Sequence, residues 1–217
     1  MKQIVLALLM ATFLISPDSL RADNFSLGGM AISRPLYEGS DESEIDLLPI
    51  IDISIGKWGF LNVDRGLGVY FLKDRELELG GGIGYYESRK EEDSAKLNGF
   101  DDIDGGFDGR MFAKYNMGRY SLSFQIRSDL SDNHKGTLFD IGAAYSIKPN
   151  RRINWTLKAA TTFADKNYMQ TYFGVSQAQA NQAIFSSTSV AFVPRGGWKD
   201  ISVSSKFSIE FTRRWNA

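Results

Sequence analysis

The chain has 217 residues, no cysteine, and 25 Lys+Arg against 26 Asp+Glu, for a net charge of −1. Disulfides and thiolate metal sites are therefore excluded, and so near-neutral a balance gives no footing for a nucleic-acid partner. Mean hydropathy is −0.23 and no apolar run reaches the roughly 18 residues of a membrane-crossing helix, while 13% aromatics and 21 glycines suit many strands and tight turns.

In chain order, residues 1–22 read as a secretory signal segment. Lys2 supplies the positive start, and an apolar stretch from Ile4 to Ile15 follows. That stretch is too short to span as a helix and is broken by Pro17 and Ser19. Cleavage is expected after Ala22, and with no cysteine an acylated anchor there is excluded. Residues 23–217 then read as one domain.

From Phe25 onward, side chains alternate between apolar and polar in stretches of about ten residues, the pattern of strands with one apolar face. The alternation predicts eleven strands, at Phe25–Ser33, Ile45–Ile55, Trp58–Val63, Leu67–Leu72, Glu76–Tyr86, Phe107–Met117, Arg119–Leu130, Thr137–Ile147, Arg152–Phe163, Ala183–Val193 and Trp198–Thr212. In the clearest one, Ile153, Trp155, Leu157, Ala159, Thr161 and Phe163 share a face opposite Asn154, Thr156, Lys158, Ala160 and Thr162. Strands of about ten residues with one apolar face fit an antiparallel transmembrane β-barrel. The expected fold class is thus all-β.

Connections alternate in length. Short turns follow the even strands, at Gly56-Lys57, Lys73-Asp74-Arg75, Gly118, Lys148 to Arg151 and Pro194 to Gly197. Longer polar loops follow the odd ones, at Arg34–Glu44, Glu87–Gly106, Ser131–Gly136 and Ala164–Gln182, the tight Asp64-Arg65-Gly66 turn excepted. Outer-membrane barrels have short periplasmic turns and long external loops, which places the N-terminus in the periplasm. Trp58, Tyr115, Tyr120, Tyr145, Trp155 and Trp198 fall near the short turns, as an interfacial aromatic girdle would.

The opposite face carries Arg110, Lys114, Arg127, Asp129, Asp140, Lys158, Lys206 and Glu210, assigned as lumen charges. A soluble sandwich or calyx is the structural alternative, but it would have to bury this much charge in a dry core. A watery lumen does not.

Residues with chemical potential are few. The single histidine, His134, lies in the turn-forming Ser131–Gly136 segment and reads as a solvated bystander. No G-x-S-x-G elbow is present. Gly80-Gly81-Gly82-Ile83-Gly84 lacks the spacing and the Lys-Ser/Thr of a phosphate loop, and reads as strand glycines that let a neighbour approach. Asp101, Asp102, Asp104 and Asp108 do not have calcium-loop spacing and read as a solvated acidic loop. No catalytic residue, cofactor or metal site is assigned. The aromatic loop Ala164–Gln182 holds a candidate interaction segment at Tyr168, Tyr172, Phe173, Gly174 and Val175, which either packs over the barrel mouth or meets a partner.

That loop carries a family signature. Tyr168 followed by Tyr172-Phe173-Gly174-Val175-Ser176-Gln177-Ala178 resembles the hallmark segment of the MipA/OmpV family of outer-membrane proteins. Pro35-Leu36-Tyr37-Glu38-Gly39-Ser40-Asp41, Pro49, Arg65-Gly66-Leu67-Gly68-Val69, Leu97–Ile103 and the stretch from Asp129 to Gly136 resemble that family in the same order. The resemblance implies a non-catalytic barrel in the cell outer membrane. It would contact outer-membrane lipid and act as a scaffold joining a murein synthase to a lytic transglycosylase in peptidoglycan synthesis and remodelling. A narrow porin-like channel, or a surface adhesin or receptor, is the competing class. Because eleven is odd and closed bacterial barrels are even, about 12 strands are expected, with the closing strand missing after Ala217.

Overall fold

The computed structural model describes residues 22–150, 153–182 and 190–209. Ten antiparallel strands form one meander: β1 (Ala22–Pro35), β2 (Ser43–Ile55), β3 (Gly59–Asn62), β4 (Gly66–Lys73), β5 (Leu77–Tyr86), β6 (Gly106–Met117), β7 (Tyr120–Asp129), β8 (Thr137–Asn150), β9 (Ile153–Ala164) and β10 (Gly197–Ile209). Each pairs only with its neighbours in the chain, and among the described residues no ladder joins β1 to β10. The sheet nevertheless curls. Lys199 at the start of β10 forms a 3.0 Å ion pair with Glu38, just past the end of β1, so the two edges meet at the loop end. The fold is all-β and barrel-like, with its edges clasped there rather than sealed along their length.

Local chemistry sets the turns. Met117 pairs directly with Tyr120, leaving the two-residue Gly118-Arg119 hairpin, where Gly118 takes φ 63°, a conformation glycine adopts without strain. Between β4 and β5, the Asp74 carboxylate accepts the amides of Glu76 and Leu77 at 2.8 and 2.7 Å, turning the chain without a glycine.

The two faces differ as the alternation predicts. Phe71, Met111, Leu122, Ile141, Ile201 and Val203 point outward and are exposed, Ile201 by 84%. The core is on the concave side. Phe60 is 1% exposed and packs edge-on against Phe112 at 5.6 Å, with Tyr70 closing the trio. The glycine run serves this interior as expected: Phe112 crosses Gly80, and Arg110 lies across Gly84 where any Cβ would overlap its guanidinium. No described helix is long and apolar enough to cross a membrane.

Two expectations need correction. The strand expected at Ala183–Val193 lies outside the described residues over 183–189, and over 190–193 only Phe192 forms a bridge, with Val175. Since β9 pairs directly with β10, from Ala164↔Gly197 to Ile153↔Ile209, no strand is inserted between them. Among the described residues the count is ten. Second, the Pro194–Gly197 turn and Trp198 belong to the loop end: Trp198 pairs with Phe163, its ring 5.9 Å away, at the far end of β9 from Trp155. The predicted signal segment is outside the described residues apart from Ala22, which opens β1.

Candidate functional site

The segment between β9 and β10 is a cap over the loop end. Asp165 is the N-cap of α1 (Lys166–Phe173), its carboxylate accepting the Tyr168 amide at 2.9 Å, and Gly174 closes the helix by donating to the Gln170 carbonyl. A second short helix, α2, covers Gln177–Gln182. The expected irregular loop is thus helical, and a helix spacing of four puts Tyr168 and Tyr172 one above the other, stacked at 4.4 Å.

Tyr168 is buried against Leu138 and Ala164, the rim of the barrel. Its hydroxyl donates to Glu38 Oε1 at 2.6 Å. Phe173 lies over Gly39. The Tyr172 carbonyl accepts Arg89 Nη1 at 2.8 Å, and Gln179 donates to Asp101. Gly174 is the helix cap and Val175 forms the bridge to Phe192. The interaction segment is therefore engaged with three other loops of its own chain. Burial, then the Glu38 charge, pushes the Tyr172 phenol up to about 12 and Tyr168 further.

His134 is part of this cap, not a bystander. It is 6% exposed, 4.7 Å from the Tyr86 ring and edge-on to Tyr168 at 5.1 Å. The Asp129 carboxylate gathers the amides of Ser131, His134 and Lys135 and the Tyr86 hydroxyl, all at 2.8 Å, and so folds the segment inward. Asp132 and Lys135 take φ of 63° and 52° to complete the turn. His134 Nδ1 accepts the Gly136 amide at 3.0 Å, a role only the neutral ring can fill.

Burial lowers the His134 pKa below 6.5, against the opposing pull of Asp129, Asp108, Asp165 and Glu38. Below its unfolded value the unfolded ring binds a proton that the folded ring resists, so stability falls with falling pH. The cap contribution is expected to be complete above pH 6.5 and to be lost as the pH drops through the lowered value. Protection factors of the α1 amides, taken relative to the intrinsic exchange rate at each pH, should fall over that range, and His134→Asn should flatten the dependence. Protection factors that stay constant between about pH 7 and 5 would overturn the assignment.

Below the cap, the inward charges divide into two groups. Arg110 grips Asp108 at 2.6 and 3.1 Å and donates to the carbonyls of Asp64 and Tyr85. Arg127 holds Asp140 through two bonds of 2.7 and 2.9 Å, with Thr162 donating to the same carboxylate. Arg65 donates to Glu78 at 3.0 Å and lies 4.2 Å above the Phe112 ring. Asp129 is the hub just described. Lys114, Lys158 and Lys206, by contrast, stand on the same inner face and form no ion pair among the described residues, and Glu210 lies outside them. In the acidic loop, Asp102 and Asp104 clamp Lys90 at 3.3 and 2.7 Å, and Asp108 has turned into the barrel. Among the described residues no group of three or more metal-ligating side chains converges.

Sequence reading missed Glu38, Arg65, Arg89 and Lys199. Glu38 and Arg65 had a signal, since they sit in the Pro35–Asp41 and Arg65–Val69 segments that carry the family resemblance. The others are placed by contacts far apart in the chain. Comparison with known proteins finds that residues 27–217 match the family model described as MltA-interacting protein MipA. No curated protein and no solved structure matches.

Proposed function

Since the chain belongs to the MltA-interacting protein MipA family, we propose that it is a non-catalytic barrel of the outer membrane that binds a lytic transglycosylase in the periplasm and brings a murein synthase to it. Residues 1–22 would direct export and 23–217 form the barrel. The observation that carries the membrane placement is the belt of exposed outward side chains, among them Phe71, Met111, Leu122, Ile201 and Val203, around a polar interior. Water would penalise that surface, and lipid would not. With the loop end occupied by its own cap, the turn end is the side left for partners. Holding two enzymes at once would raise the effective concentration of each for the other.

The test is direct capture. The full chain refolded in detergent should retain a purified lytic transglycosylase, and Lys57→Glu or Arg119→Glu in the turns should weaken that retention. If the wild-type barrel retains no enzyme, the scaffold reading is wrong for this chain. A conducting pore is the competing reading, and the paired charges Arg110–Asp108 and Arg127–Asp140 together with the cap favour a lumen that does not conduct.

A further inference from the structure

We propose that the inner face of the barrel, between its middle and its turn end, is a binding site for a small solute carrying two or more phosphate or carboxylate groups. Its cationic residues are Lys114, Lys158 and Lys206.

The first argument is a shortage of counter-charge. Glu78 is the cross-strand partner of Lys114 on β5, but its carboxylate is taken by Arg65 at 3.0 Å. Asp108, Asp140 and Glu38 are likewise held by Arg110, Arg127 and Lys199. Asp52 stands on β2, four strands from Lys114 in the sheet order. The loop-side half of the interior is thus internally neutralised, whereas among the described residues the three lysines form no ion pair, and Glu76, two residues before Glu78, stands exposed in the turn before β5. Like charges along a concave wall of low dielectric reinforce one another's field and draw in anions.

The second argument is placement. Lys114 pairs with Ser123 on β7, Ser123 with Gly142 on β8, and Gly142 with Ala160 on β9. Because Gly142 has no side chain, the Lys158 stem lies over it: its Cε would sit 3.0 Å from a Cβ added there, with Ser123 Oγ at 2.8 Å from the same point. Lys158 therefore leans across β8 toward the strand that pairs with Lys114. Lys206 extends the arc on β10, two residues past Ser204, the register partner of Lys158. Beside them, Gln125 Nε2 is buried with no acceptor, an inward donor two residues along β7 from Ser123. An ammonium arc and a spare amide N–H, with hydroxyls beside them, make a surface rich in donors and in positive charge, complementary to an oxyanion rather than to a metal cation. The cap blocks entry from the loop end, so the solute would enter from the turn end.

The experiment uses the full chain refolded in zwitterionic detergent and titrated with inorganic pyrophosphate by calorimetry, with a heat-modifiability gel to confirm folding of every variant. Wild type should bind, and Lys114→Gln/Lys158→Gln/Lys206→Gln should weaken binding at least about tenfold, or 1.4 kcal/mol. Lys158→Gln alone should weaken it measurably, which keeps the test decisive if the triple variant folds poorly. The rim variant Lys57→Gln/Arg119→Gln should bind as wild type does. Absence of wild-type binding, an unaffected triple variant, or loss confined to the rim variant would each overturn the proposal. None of these outcomes depends on whether a murein enzyme is captured.

Discussion

Arg110→Met should lower the unfolding free energy by about 3–5 kcal/mol, the cost of stranding one member of a buried ion pair. Arg110 and Asp108 are 8% and 5% exposed at their side chains, so Asp108 would be left charged in the interior with neither water nor partner. Two further losses add to this. The Asp64 and Tyr85 carbonyls lose the guanidinium as a donor, and with it the side-chain tie from β6 to the β3–β4 turn. The shelf over Gly84 also empties, since the guanidinium fills the space a side chain there would take. Adding Asp108→Asn should restore part of the stability, because it removes the stranded charge and not the missing packing. Urea unfolding in phosphatidylcholine vesicles, followed by tryptophan fluorescence, measures both. A loss below about 1 kcal/mol, the scale of an exposed pair, would mean that water reaches Asp108.

Tyr168→Ala is expected to release the cap while leaving the ladders intact. The ring is 4% exposed, stacks on Tyr172, meets His134 edge-on and packs on Leu138 and Ala164. Truncating a large buried aromatic typically costs about 3–5 kcal/mol, which exceeds what a helix of eight residues can supply by itself. Amides of α1 and of Ser131–Gly136 should therefore exchange quickly, while those of β6 to β8 keep their protection. Tyr168→Phe separates the two contributions. It keeps the packing and loses only the 2.6 Å bond to Glu38, a charge-assisted bond worth about 1.5–3 kcal/mol. Unchanged exchange in Tyr168→Ala would show that the cap is held by other contacts.

Much of the sheet was legible because period-two alternation is a local property. Nine expected strands reappear within a few residues of their predicted ends before the cap, and the inward assignment of Arg110, Arg127 and Asp140 follows from the same parity. Alternation cannot say which strands become neighbours, and there the reading failed. Residues 183–193 alternate acceptably, yet β9 takes Gly197 onward as its partner. The α1 helix has its own signals in Asp165 and Gly174, an N-cap and a C-cap residue eight helical positions apart. His134 sits in the Asp129–Gly136 stretch that carries the family resemblance, but nothing local shows that its ring is buried. Its burial depends on Tyr86 and Tyr168, which lie on either side of it in sequence and far from it. The choice of partner for each inward arginine was equally hidden, since Arg127 faces Leu138 in register and reaches Asp140 diagonally.

The purely sequential pairing of the strands also bears on the order in which the molecule assembles. Every ladder joins neighbours in the chain, so each step closes a local loop, the longest being the cap between Ala164 and Gly197. The contacts of Glu38 are of another kind. Tyr168 reaches it across 130 residues of sequence, and Lys199 from further still. Neither can exist until all the intervening strands have been laid down with enough curl to bring the ends together. The clasp and the cap that shares it are therefore expected to form after the ladders, and Glu38 is where the first and last strands of the sheet are tied together.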